Sequence, residues 1–357
     1  MSSTAEMERL PLGDDGYTTA RLIVGGWQLS AGHREDAVDE AELFAGLASA
    51  ARAGWTTFDC ADIYTGVEEL FGRFRAAHAA DLRADGIELG FHTKYVPDLD
   101  ALGSLDRAAV EAVIDRSLTR LGVERLDLVQ FSWWDYAVPG YVEVAQWLTE
   151  LRDAGKIRHV GATNFDTPRM REMLDAGVPL VSNQVQYSLL DRRPERELVE
   201  LAEERGVGLI CYGALAGGLL TGKHLGAPPL QEPFANRSLV KYRLIVDEVG
   251  GWERYQALLR TMKRVGLRHS RPFSDVALRW VLDRPAVTAA MVGTFDAQYL
   301  FANLFALTLS LTDEDCAEID EALAQLDDVE GDVFGLERVN GGPHSTIMWK
   351  NIASGRR

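Results

Sequence analysis

Eight short runs rich in apolar and β-branched residues recur along the chain, with longer segments of helical spacing between them. They are LIVGGWQ, TTFDCAD, LGFHTK, LDLVQFS, HVGATN, LVSNQVQY, LICYGAL and AAMVGT. Most are near-continuously apolar and do not alternate, which is the pattern of strands covered on both faces. The intervening segments each carry one apolar stripe. In 106–122, Ala109, Val113, Ile114, Leu118 and Leu121 share a face and Gly122 stops the helix; 140–156 and 196–207 read the same way. Eight alternations of strand and helix predict a parallel sheet closed as a (β/α)8 TIM barrel, one domain over 1–357. The competing open, doubly wound sheet wants a Gly-rich turn after its first strand, and no GxGxxG follows any of these runs.

Two regions fall outside the repeat. Residues 224–252, with several prolines, read as a loop inserted after the seventh strand, and 327–357 as a C-terminal extension over the pocket. The net charge of -17 opposes sequence-independent binding to nucleic acid. Cys60, Cys211 and Cys316 are odd in number and form no CxxC pair, and the seven histidines form no HxH or HExxH pattern. Neither a disulfide framework nor a metal site is expected. The start, MSSTAEMERLPLGDDGY, has no cationic stretch leading into an apolar one, and no long uncharged apolar segment occurs. The expectation is a reduced, soluble, cytoplasmic protein with a small-molecule substrate and no membrane partner.

A barrel of this kind works at the C-terminal ends of its strands. Those ends read Gly26 and Trp27; Asp59 with Tyr64 just beyond; Lys94; Ser132; Thr163 and Asn164; Gln184; Tyr212; and Thr294. A carboxylate at the end of a buried strand needs a partner, and Lys94 on the neighbouring strand can supply one. A tyrosine beside that lysine is expected to have its phenol pKa drawn down from ~10, making it a general acid. The other reading is a structural Asp–Lys pair with a packing tyrosine.

FDCADIYTGVEELFG, HTKYVP, GKIRHVGATNF, SNQVQYSLLDRRPE and CYGALAGGLLTGK, in this order, resemble the aldo-keto reductases over nearly the whole chain. The likeness is greatest to the subgroup whose fourth strand ends in His-Trp-Trp-Asp-Tyr. It implies a monomer-like barrel that binds NADPH, or NADH, across the strand ends and reduces a carbonyl. In that resemblance Tyr64 is the proton donor, Lys94 tunes it and Asp59 holds Lys94. Thr163, Asn164 and Gln184 match positions that bond the nicotinamide carboxamide, and Tyr212 matches the ring stacked on the nicotinamide. Gly213, Leu215, Gly217 and Gly218 match the turn that cradles the pyrophosphate, where backbone must approach phosphate closely.

The chain departs from the family at two places. Ser132 stands where the family has a histidine that orients the substrate carbonyl, and serine is shorter and does not titrate near neutrality. Phe295 and Ala302 stand where an arginine and an acidic residue contact the 2′-phosphate and adenine, while Asn303 is kept. Arg237, Lys241 and Arg243 could supply the missing cations, but a solvated surface patch is favoured. Trp27, Trp133 and Trp134 are expected to wall the substrate cleft, with barrel–helix packing left open for Trp134. His92 points inward as a hydrogen-bonded core histidine. His33 and His344 lie on loops over the pocket; exposed positions are favoured over replacement of the missing imidazole. The leading function is reduction of a carbonyl or conjugated double bond. A non-redox dehydratase, isomerase or cyclase, with cofactor use weakened or lost, and a non-catalytic cofactor sensor are the alternatives.

Overall fold

The computed structural model describes residues 6–31, 33, 39–234, 237–293 and 297–352. A short antiparallel hairpin, β1 (Arg9–Pro11) and β2 (Thr18–Ala20), precedes the barrel. The barrel strands are β3 (Leu22–Gly25), β4 (Thr57–Asp59), β5 (Gly90–Tyr95), β6 (Leu126–Phe131), β7 (Ile157–Thr163), β8 (Leu180–Gln186), β9 (Gly208–Tyr212) and β10 (Val287–Gly293). All are parallel, and β10 pairs with both β9 and β3, closing the cylinder. The eight apolar runs thus become its eight strands.

The outer layer holds α1 (Glu40–Arg52), α2 (Val67–Ala84), α3 (Arg107–Leu121), α4 (Tyr141–Asp153), α5 (Thr167–Asp175) and α6 (Leu198–Arg205), one after each of β3 to β8. Helix α3 starts where the Asp106 carboxylate accepts the Ala109 N–H, and stops at Gly122 with φ 65°. Phe58 of β4 packs within 5.5 Å of Phe71 and Phe74 of α2 and Phe91 of β5, joining the two layers. No helix among the described residues is long and apolar enough to cross a membrane.

The β9–β10 connection contains α7 (Arg237–Glu248), α8 (Trp252–Arg268) and α9 (Phe273–Leu282). The expected loop at 224–252 is therefore partly helical. After the prolines, Tyr242, Ile245, Val246 and Val249 recur at helical spacing and are buried together. Beyond β10 come α10 (Ala297–Leu304) and α11 (Asp313–Leu323), then two short turns, α12 (Gly335–Arg338) and α13 (Pro343–Thr346), in the C-terminal segment.

The hairpin seals the end of the barrel away from the strand C-termini. Leu12 and Tyr17 form one buried cluster with Ile23, Leu128, Ile210 and Ala289 from the barrel strands. Tyr17 Oη lies 3.0 Å from His92 Nε2, and its ring 5.5 Å from that of His159. His92 is thus the inward, hydrogen-bonded histidine expected, and burial pushes its pKa down to about 3, with Lys94 adding to the effect.

Candidate active site

Strand alternation sends Asp59, His92, Lys94, Gln130 and Gln184 inward, and Phe58, Phe91, Val129 and Phe131 outward into the helical layer. Asp59 and Lys94 meet in a buried ion pair, and Lys94 Nζ also donates to Cys60 O at 2.9 Å. The remaining carboxylate oxygen, Asp59 Oδ1, accepts from Gln130 Nε2 at 2.9 Å and Gln184 Nε2 at 2.8 Å. Gln184 Nε2 also reaches Gln130 Oε1 at 2.7 Å. One carboxylate therefore holds an ammonium and two amides across β4, β5, β6 and β8.

The turn after β4 brings Tyr64 over this network. It is pinned to β5 by Cys60 N–H donating to His92 O (2.8 Å) and Asp62 N–H donating to Lys94 O (3.1 Å). Lys94 Nζ lies 4.7 Å from the Tyr64 ring centroid. Burial raises the Tyr64 phenol above its ordinary pKa; the Lys94 charge opposes this without overcoming it. The expected lowering is corrected: the water-poor site outweighs the nearby ammonium, and the phenol stays protonated. For Lys94 burial works against the charge, but Asp59 and Tyr64 prevail and raise its pKa.

Around this centre the expected positions divide. Trp27 stands with its ring 4.9 Å from that of Tyr64. Ser132 follows β6 on the inward side, its N–H bonded to Tyr95 O at 3.0 Å. Trp133 is 1% exposed and packs against Phe131 and Tyr141 of α4, its Nε1 bonded to Asp135 O and Val138 O at 3.0 Å. The expectation that it walls the cleft is corrected, because alternation turns it outward into the helical layer. Trp134 is the half-buried one, its Nε1 on Pro97 O at 2.9 Å and its ring 6.3 Å from Phe334 of the C-terminal segment.

On the far side of the mouth, Thr163 Oγ1 donates to Gln184 O at 3.1 Å, and Asn164 adopts a left-handed φ of 61°. Asn164 Oδ1 accepts the Tyr212 hydroxyl at 2.8 Å. Leu215 O accepts the Gly218 N–H at 2.9 Å, closing the glycine turn. A Cβ on Gly213 or Gly217 would strike the Tyr242 side chain at 2.5 and 2.7 Å, whereas beside Gly218, with φ 97°, nothing lies within 4 Å. Asn303 turns its amide back to Tyr299 O at 2.6 Å, within its own helix. Thr294 and Phe295 lie outside the described residues.

The 237–243 cations are not a solvated patch. Lys241 is largely buried, donates to the Tyr212 hydroxyl at 3.1 Å and sits 3.8 Å from Glu337. Arg237 stacks 3.8 Å from the Trp349 ring centroid and bonds Ile347 O, and Arg243 pairs with Asp247. The helical turn points them at neighbouring elements. His344 is also not exposed: it is buried with Nε2 3.0 Å from Glu248. His33 is half-buried, its ring 5.1 Å from that of Trp27.

The sequence reading missed two groups. Gln130 belongs to the Asp59 network, and its inward position on a strand ending at Ser132 was the available signal. Buried Glu337 bonds Arg193 at 3.0 and 3.3 Å, and Arg193 also pairs with buried Asp191 at 2.7 Å. This ties the C-terminal segment to the loop after β8.

A family model described as aldo/keto reductase matches residues 21–324. The chain is 30% identical over 320 residues to flagellar radial spoke protein 5 of Chlamydomonas reinhardtii, covering 79% of this chain and 57% of that protein, so it spans little more than half of that relative's length. It is 26% identical over 343 residues to the NADH-specific methylglyoxal reductase of Escherichia coli (strain K12), covering 89% of this chain and 99% of that one. A solved thermostable aldo-keto reductase in complex with the inhibitor epalrestat superposes with a TM-score of 0.69 at 25% identity, covering 88% of this chain and all of that one.

Proposed function

The chain belongs to the aldo/keto reductase family, a family of nicotinamide-dependent oxidoreductases, and from that premise we propose that it reduces a carbonyl compound with Tyr64 as the proton donor. The observation that carries the reading is the Asp59–Lys94–Tyr64 constellation, joined by one buried ion pair and an ammonium 4.7 Å from the phenol ring. A raised phenol pKa keeps the donor in its acid form. Lys94, held charged, stabilises the phenolate left after proton transfer.

The residues at the nicotinamide end fit a dinucleotide. Asn164 is held in a left-handed conformation beside Tyr212, which is only partly buried, and the open space beside Gly218 lets backbone approach a phosphate. When bound, the reduced nicotinamide supplies hydride to the carbonyl carbon. Around that event Trp27 and Trp134 exclude water, and Tyr64 delivers the proton to the carbonyl oxygen. Because Arg237, Lys241 and Arg243 are all engaged elsewhere, we further propose that NADH serves at least as well as NADPH.

The test is titration of the protein with NADH and NADPH followed by tryptophan fluorescence, then turnover of methylglyoxal and 4-nitrobenzaldehyde by the unmodified chain and by Tyr64→Phe. Quenching by NADH at least as strong as by NADPH, with Tyr64→Phe ~10²-fold or more slower at unchanged cofactor affinity, supports the reading. No binding of either dinucleotide overturns it.

A further inference from the structure

We propose that the His33 imidazole supplies the second hydrogen bond to the substrate carbonyl oxygen, the contact that Ser132 is too short to make; the inference rests on the reductase reading above. A carbonyl oxygen has two lone pairs, and Tyr64 approaches one of them. The strand order runs β3, β4, β5, β6, so the loop after β3 flanks Tyr64 on one side and Ser132 on the other. The second donor can come from either flank, and the β3 side carries His33, packed on the Trp27 ring that also contacts Tyr64.

Several observations support this role. The β3 loop is fastened to the Tyr64 loop by Ala31 N–H donating to Thr65 O (3.1 Å), and His33 N–H donates to Ser30 O (2.9 Å). The Trp27 ring contacts both side chains, at 5.1 Å from His33 and 4.9 Å from Tyr64. His33 Nε2 is buried and has no partner among the described residues. His92, His159, His269 and His344, in contrast, each engage Nε2 with a protein oxygen, on Tyr17, Asp15, Asp315 and Glu248. An unmade hydrogen bond at a buried polar atom costs about 1–3 kcal/mol, and this one lies against the Trp27 ring that also packs on Tyr64, where a ligand can complete it.

Burial, and then the Arg237 charge, hold the His33 pKa below its usual value, so the ring is neutral at pH 7. A neutral ring with its proton on Nε2 donates to the oxygen without giving the proton up. The carbonyl carbon takes hydride from the reduced nicotinamide, the oxygen takes the Tyr64 proton, and His33 ends the step as it began.

The experiment compares kcat/KM for 4-nitrobenzaldehyde with NADH and NADPH in the unmodified chain, His33→Ala, His33→Gln, Ser132→His and His33→Ala/Ser132→His. His33→Ala is expected to lose ~10²-fold, as for other oriented donors to a developing oxyanion. His33→Gln, which keeps an N–H donor, is expected to lose about tenfold or less. Ser132→His is expected to restore activity far more in the His33→Ala background than in the unmodified one. A His33→Ala enzyme within about threefold of the unmodified chain overturns the inference alone, and so does an equal Ser132→His gain in both backgrounds. If neither the unmodified chain nor Ser132→His oxidises NADH or NADPH, the reductase reading itself falls.

Discussion

Gln184 Nε2 lies 2.8 Å from Asp59 Oδ1. A side chain expected to bind the cofactor amide is therefore also part of the network that fixes the carboxylate holding Lys94. Replacing it by leucine leaves Asp59 Oδ1 with Gln130 as its remaining amide donor. Gln184→Leu is expected to lower kcat about tenfold as well as weaken cofactor binding, and to cost ~1–3 kcal/mol in urea unfolding. Weaker cofactor binding with unchanged kcat and stability would separate Gln184 from the carboxylate.

The Asp59–Lys94 pair should behave as a unit. Lys94→Met strips a buried carboxylate of its cation and is expected to destabilise by ~3–5 kcal/mol. Adding Asp59→Asn to that variant removes the orphaned charge, so the double variant should be more stable than Lys94→Met alone while remaining inactive. Urea midpoints of the unmodified chain and the two variants settle the order.

The two adjacent tryptophans should separate stability from substrate binding. Trp133→Ala removes a buried ring and an indole N–H that donates to Asp135 O and Val138 O, with an expected loss of ~3–5 kcal/mol and little change in KM for the enzyme that folds. Trp134→Phe removes the bond to Pro97 O at the mouth and is expected to shift KM with less effect on stability. The reverse pattern would contradict the outward orientation of Trp133.

The C-terminal segment should loosen in acid. Burial would raise the Glu337 carboxyl, but Arg193 and Lys241 overcome this and hold it down to about 2, from 4.5. A depressed carboxyl contributes stability that is complete above about pH 4.5 and lost as pH falls through about 2. Glu337→Gln is expected to destabilise by ~3–5 kcal/mol at pH 7 and to flatten the dependence of stability on pH across that window. An unchanged acid transition would remove Glu337 as its cause.

The barrel was legible because a strand covered on both faces writes itself as an unbroken apolar run, and eight such runs have few ways to pack. The β1–β2 hairpin was not legible: its strands are three residues each, and RLP and TTA carry no periodicity. Helix α7 was obscured by the prolines before it, although Tyr242, Ile245 and Val246 kept helical spacing. At the site, Asp59, Lys94 and Tyr64 could be paired from strand order alone. Gln130 and Gln184 could not be assigned to Asp59, because their meeting depends on the inward register of three strands at once. The sign of the Tyr64 shift required knowing how fully the phenol is buried, and the Arg193–Glu337 contact joins residues on opposite sides of a long connection. Trp133 was misplaced by one step of alternation, which turns a side chain from the barrel interior to the helical layer.

The hairpin that stops the barrel beneath His92 also fixes the traffic of ligands. With Leu12 and Tyr17 filling the far end, a ligand over Lys94 is met from the side of the strand C-termini. Where cofactor and substrate share that one end, the one seated deeper is expected to enter first and leave last.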